Sequence, residues 1–236
     1  MFPLRDSVPS SRAPVVNVLL IVACGAVFLF ELSLGPYLER FMRVYAFVPA
    51  RFFHLLAVRG GVSLGLKSVL LSMFLHGGWL HLIGNMWFLW IFGDNVEDVL
   101  GHVPYLAFYL GCGATAAIGQ AIVAPSSSVP MVGASGAIAG VLGAYLVWFP
   151  WARVRTLLFL GFFFTVAELP APIFLIIWFV VQFFSGTLAL AAAGPAAGGV
   201  AWFAHIGGFL TGALLALMLR RARRVRPRPR HAAFGE

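Results

Sequence analysis

Charge is what this chain has least of. Of its 236 residues only 10% are Asp, Glu, Lys or Arg, against about 25% in an ordinary soluble domain. From Leu169 to Leu219 there is none at all. A chain this poor in charge cannot cover a water-facing surface, which excludes a soluble globular protein. Cysteine is scarce too: Cys24 and Cys112 both lie in apolar runs and match no metal-ligand spacing, so they read as small buried hydrophobes. No carboxylate stands in the middle of a long apolar run, since Glu31, Asp94, Glu97, Asp98 and Glu168 all fall at or near run ends. A cleavable leader is not evident either. The segment Met1 to Asp6 is short and polar, and the first apolar run, Val15 to Phe30, ends at Glu31 without a small-residue cleavage pattern. It reads as a retained span.

What the chain has in abundance is apolar length. Hydrophobic residues make up 61%, and a helix needs about 20 of them to cross a bilayer. Six spans fit, at 15–33, 80–98, 103–123, 133–149, 173–190 and 200–219. The fold class expected is therefore all-α: a polytopic membrane bundle of six transmembrane helices spanning 15–219, after a short N-terminus (1–14) and before a basic tail (220–236). No internal repeat and no second domain are visible. The long first connection, Gly35 to Trp79, mixes Arg40, Arg43, Arg51, Arg59 and Lys67 with Tyr37, Phe41, Tyr45, Phe47, Phe52 and Phe53. That mixture suits a segment lying in the membrane interface. Thr156 to Ala167 is apolar but too short to cross unaided, and is read as interfacial or as an extension packed on the cytosolic side of the bundle.

The formal net charge of +8 invites a nucleic-acid reading, but its distribution argues against one. Arg220, Arg221, Arg223, Arg224, Arg226, Arg228 and Arg230 crowd into one tail directly after a span. The positive-inside rule makes that tail a cytoplasmic anchor for anionic lipid headgroups. Six spans put both basic ends in the cytoplasm, beside Arg153 and Arg155. Seven would separate them. The basic first loop then faces outward, against the rule.

Three polar sites interrupt the spans: Ser135 in Gly133-Ala134-Ser135-Gly136, His205 in Ala204-His205-Ile206-Gly207-Gly208, and the pair His81 and Asn85. With the N-terminus inside, spans two, four and six all run inward, so the rise of about 1.5 Å per residue leaves the four side chains within roughly 10 Å of one depth. Polar groups inside spans are costly and by default functional. Serine also occurs as a packing residue at helix interfaces, and bonding a backbone carbonyl is the bland alternative for a buried histidine. Gly133, Gly136, Gly140 and Gly143 recur at helical spacing, and Gly208 and Gly212 share a face with His205. Such stripes let backbones approach closely, which a serine and histidine on separate helices require. With no carboxylate at that depth, the arrangement suggests a Ser–His dyad. His81 and Asn85, at i and i+4, fit a metal half-site, an interhelical hydrogen bond or a pair of oxyanion donors. Asparagine is a poor zinc ligand and no second cluster exists, so the donor reading is preferred, with the Ser135 amide as a third donor.

These residues carry a family resemblance. His76-Gly77-Gly78-Trp79-Leu80-His81-x-x-x-Asn85, then Gly93-x-x-x-Glu97, Gly133-Ala134-Ser135-Gly136 and Ala204-His205-x-x-Gly208-x-x-x-Gly212 resemble, in order and spacing, the signature of the rhomboid intramembrane serine proteases. The resemblance implies Ser135 as nucleophile, His205 as general base and acid, and His81 with Asn85 lining the oxyanion site. It further implies membrane-protein substrates, no metal or cofactor, and a multi-pass protein of a prokaryotic plasma membrane with both termini cytoplasmic. The chain departs from many members at two places. Ala139 stands where a tyrosine would lie under the histidine, and Lys67-Ser68 replaces a Trp-Arg pair.

Overall fold

A computed structural model describes residues 1–161, 163–193 and 202–222. Helices occupy all six expected positions: α1 (Val15–Ser33), α5 (Trp79–Leu100), α6 (His102–Val123), α7 (Ser135–Trp148), α8 (Ala171–Ala193) and α9 (Trp202–Ala222). Three short helices fill the first connection: α2 (Leu38–Tyr45), α3 (Pro49–Ala57) and α4 (Gly61–Ser72). Val15–Ser33, His102–Val123 and Trp202–Leu219 are long and apolar enough to cross a membrane by themselves. The fold is a membrane helical bundle, with more helices than the six spans alone.

The bundle is organised around α7. Its 14 residues span only about 21 Å, too little to cross unaided, and nearly all are buried. Uncharged and rich in Gly and Ala, it needs no lipid contact, because α5, α6, α8 and α9 enclose it. The N-terminus of α1 leaves orphan amides. Glu97 on α5 accepts two of them, from Val16 at 2.9 Å and Asn17 at 2.7 Å. The Asn17 side chain donates to the Leu89 carbonyl (3.0 Å) and accepts from the Tyr105 hydroxyl (2.8 Å). A Cβ on Gly93 would fall 2.1 Å from Asn17 Oδ1. The Gly93-x-x-x-Glu97 spacing thus serves one joint, where α1 starts against α5. Glu31 plays the matching part at the other end of α1, its carboxylate accepting the His76 amide at 3.2 Å.

The segment 156–167, expected as an interfacial piece or as an extension packed on the bundle, lies in a pair of antiparallel strands. Strands β2 (Arg153–Leu160) and β3 (Phe163–Pro170) pair antiparallel around Gly161, whose φ of +67° suits a tight turn, and β1 (Phe2–Asp6) completes a three-stranded sheet in the order β1-β2-β3. The N-terminus is therefore built into the fold. Ser11 bonds Asp98 near the end of α5, and β1 runs from there along that helix until Phe2 stacks on Trp87 (5.3 Å) and the Trp87 indole donates to the Pro3 carbonyl (2.6 Å). The arginine tail expected to meet lipid headgroups falls from residue 223 onward outside the described residues, as does the connection 194–201.

Asp6 ties this sheet to α7 by accepting from the Tyr145 hydroxyl. Burial, reinforced by the charge of Asp94, pushes Asp6 up to about 7 against the pull of that hydrogen bond. An unfolded aspartate titrates near 4, so between these values the folded state holds the extra proton. Stability from this group is fully present below about pH 4 and is lost as pH rises through 7. Asp6→Asn keeps the acceptor for Tyr145 and removes the titration. Its melting temperature relative to wild type should rise between pH 5 and pH 8; a difference independent of pH would refute this.

Candidate active site

Ser135 is the first residue of α7, so its amide has no partner within the helix. The approach to it is clamped. Phe47 and Met131 exchange backbone hydrogen bonds (3.2 and 2.7 Å), and the Gly133 amide donates to the Ser72 carbonyl (2.9 Å). The first connection therefore holds the serine loop. Gly133 itself has φ +120° and lies outside α7. Its place is not the helix-packing stripe expected for it, because that backbone conformation ends helical continuity. A Cβ there would fall 2.7 Å from His81 Cε1 and Nε2 and 3.5 Å from Asn85 Nδ2. Glycine keeps that space open.

The other glycines form the seam between α7 and α9. A Cβ on Gly208 would lie 2.0 Å from the Gly136 carbonyl oxygen, and one on Gly212 would lie 1.9 Å from that of Gly140. Gly136 also faces Ala116 on α6, and Gly140 faces Cys112. This contact is backbone on backbone, with no side-chain end to swing away. Gly208→Ala should therefore lower stability by about 1–3 kcal/mol and cut turnover in parallel by pushing α9 outward. A normal melting temperature with normal turnover would contradict it.

That close approach brings His205 Nε2 to 2.7 Å from Ser135 Oγ. The residues are 70 apart in sequence and on different helices. His205 is buried, and the start of its helix is held by Gln120 on α6, whose side-chain oxygen accepts the Ala204 amide at 3.2 Å. Two indoles flank its imidazole, Trp178 from α8 and Trp202 from its own helix, each with centroids 6.1 Å away. Among the described residues the carboxylates are engaged elsewhere: Glu31, Glu97, Asp98 and Asp6 as described, Asp94 with the Asn95 amide, Glu39 with Arg43, and Glu168 opposite Arg155 across β2 and β3. Among the described residues no group of three or more His, Cys, Asp or Glu is placed to hold a metal.

His81 and Asn85, one turn apart on α5, face the same space in front of Gly133. The Gly77 amide donates to His81 Nδ1 at 3.4 Å, which leaves the ring proton on Nε2, the nitrogen nearest Gly133. The Asn85 side-chain nitrogen is buried and has no hydrogen-bond partner in the structure. An unpaired buried donor costs about 1–3 kcal/mol, and a bound oxyanion would satisfy it. His76 sits behind His81 with ring centroids 5.3 Å apart. Its Nδ1 donates to the Phe74 carbonyl (3.2 Å), and its buried Nε2 has no partner. Burial, with His81 beside it, holds His76 down at about 4, so it is neutral at physiological pH.

A profile of the rhomboid domain matches residues 63–222. The chain belongs to the rhomboid family. Among similar proteins, the presenilin-associated rhomboid-like protein of Homo sapiens mitochondria is 33% identical over 104 residues, 43% of this chain and 27% of that protein. The putative rhomboid protease YdcA of Bacillus subtilis is 35% identical over 91 residues, 36% of this chain and 45% of the relative. Rhomboid protease GluP of the same organism is 41% identical over 78 residues, 33% of this chain and 15% of the relative. The matched segments span less than half the length of these relatives. Family membership and the apolar helices together make this rhomboid an integral membrane protein.

Several contributors escape a reading of motifs. Phe47 and Ser72 clamp the serine loop through backbone groups alone, which leave no signature in residue type. Gln120 was legible only as a polar residue near the end of an apolar run. Trp178 was hidden among the other aromatics of its helix.

Proposed function

We propose that this rhomboid is an intramembrane serine endopeptidase working through a Ser135–His205 dyad. The observation that carries the reading is the 2.7 Å contact between Ser135 Oγ and His205 Nε2, made by two helices whose glycines allow it. In this mechanism Ser135 Oγ attacks the scissile carbonyl carbon while His205 Nε2 takes its proton. The carbonyl oxygen becomes an oxyanion held by the Asn85 amide, the His81 Nε2–H and the Ser135 amide. As the C–N bond breaks, His205 returns the proton to the leaving amine. Water then attacks the acyl-serine with His205 again as base, releasing the new carboxyl end and restoring Ser135. No step draws on a metal or cofactor.

The substrates are membrane proteins whose spans unwind at one end, because a helical backbone hides its carbonyls in hydrogen bonds. Both termini are assigned to the cytoplasm of a prokaryotic plasma membrane, with the site towards the outer face and the tail after Arg220 on anionic headgroups. The test is cleavage of a single-span substrate by the purified protein in liposomes, with the cut mapped by mass spectrometry. Cleavage in or beside the outer end of the span, unaffected by a chelator, is expected. Cuts confined to water-exposed segments, or abolished by the chelator, would overturn the reading.

A further inference from the structure

The small sheet changes character along its length. Residues directly opposite each other in an antiparallel pair share a face. At the base of one face Arg5, Arg155 and Glu168 stand in a row across β1, β2 and β3, with Arg153 two residues below Arg155. The next row on that face pairs Leu157 with Val166, and the row above it pairs Phe159 with Phe164. No charged residue follows before the turn at Gly161. On the other face, buried Val154 and Thr156 seat the base against the bundle. Beyond Thr156 the hairpin stands clear of it: Phe159, Phe163 and Phe164 are 64%, 79% and 75% exposed. Three neighbouring phenylalanines this exposed mark an interaction surface.

The surroundings point to its partner. β1 runs along α5 between Asp98 and Trp87, so the sheet stands beside a membrane helix, and β3 leads directly into α8. The nearby outward side chains, Trp90 of α5 and Ile173 and Ile176 of α8, are apolar and exposed as well, and the hairpin tip continues that lipid-facing surface. A basic row below and aromatic rows above is the layering of a segment that enters the headgroup level. The edge of β3 limits the depth. Among the described residues no strand pairs with it, and an unpaired strand edge is not tolerated in hydrocarbon. The tip therefore stops at the boundary between headgroups and acyl chains, about 5–10 Å in.

We propose that the β2–β3 hairpin is a lipid-binding element: Phe159, Phe163 and Phe164 insert at that boundary where α8 begins, and Arg153 and Arg155 rest on anionic headgroups. Because β2 also carries β1, whose Asp6 bonds Tyr145 of α7, the lipid contact reaches the central helix through two paired strands. This holds whether or not the protein cleaves anything.

The test uses the wild-type protein in vesicles of phosphatidylcholine and phosphatidylglycerol, with a photoreactive diazirine near the glycerol end of the acyl chains of one lipid or the other. After irradiation, adducts are mapped by mass spectrometry, and those on α8 serve as the positive control. Adducts are expected between Leu157 and Val166, about fivefold more from phosphatidylglycerol, the scale of one arginine at an anionic surface. Adducts on α8 with none on the hairpin, or equal labelling of the hairpin by the two lipids, would overturn the proposal. A second measurement places a nitroxide on Phe164→Cys or on Glu168→Cys, in protein carrying Cys24→Ala and Cys112→Ala. The label at Phe164 should collide more with oxygen, which dissolves in lipid, than with a water-soluble nickel complex, and the label at Glu168 should show the reverse. Equal access of the nickel complex to both labels would overturn the proposal. So would a label at Phe164 shielded from both reagents, as contact with a second copy of the chain would shield it.

Discussion

Ser135→Ala and His205→Ala are each expected to abolish cleavage, with losses on the order of 10⁶ in turnover, and the double variant should be no worse than either. In the proposed mechanism the two act as one unit. Without Oγ there is nothing to attack the carbonyl, and without Nε2 at 2.7 Å nothing takes the proton. Neither change should unfold the protein. Ser135 stands at a helix start held by backbone bonds of its neighbours, and the α7–α9 seam depends on glycines rather than on Ser135 or His205. Turnover of the two single variants and the double variant in liposomes, beside their melting temperatures, checks this. Additive losses would mean that the residues work independently.

The second large effect is expected at Asn85. Removing an oxyanion donor typically costs about 10²–10³ in turnover with little change in substrate affinity. Asn85→Ala should show that loss. Its side-chain nitrogen has no partner in the resting structure, so the substitution breaks no hydrogen bond there and melting should not fall on that account. The two signatures separate the roles cleanly: a structural bond would lower the melting temperature and leave turnover near normal. His81 is a less clean probe, because it also accepts from Gly77 and packs on His76.

The helices and the residues brought together at Ser135 and His205 were legible because their signals are local. Apolar runs mark spans wherever they occur, and six helices stand at the six expected places. Ser135, His205, His81 and Asn85 stood out because polar groups in apolar runs are conspicuous. Glycines at i, i+3 and i+4 pointed to one seam, and Gly136, Gly140, Gly208 and Gly212 line it. Gly133 shares their spacing but not their role, since spacing says nothing of φ. The sheet was illegible for a different reason. Phe2 pairs with Leu157 across most of the chain, and Leu157 to Leu160 is apolar on both faces, so no alternation marks a strand. The clamps at Phe47 and Ser72 use main-chain groups that every residue owns. The contact of Trp178 with the His205 ring depends on which way α8 turns its aromatics, and a helix rich in them gives no hint.

In the proposed mechanism Ser135 is an activated nucleophile, and covalent labelling tests that most directly. A fluorophosphonate requires a serine oxygen made reactive by a base, independent of any substrate. Incubated with the purified protein, it should form one adduct, mapped by mass spectrometry to the peptide holding Ser135, and the adduct should vanish in His205→Ala. Absence of labelling in a folded wild type that still cleaves its substrate, or an adduct on another serine, would contradict the account.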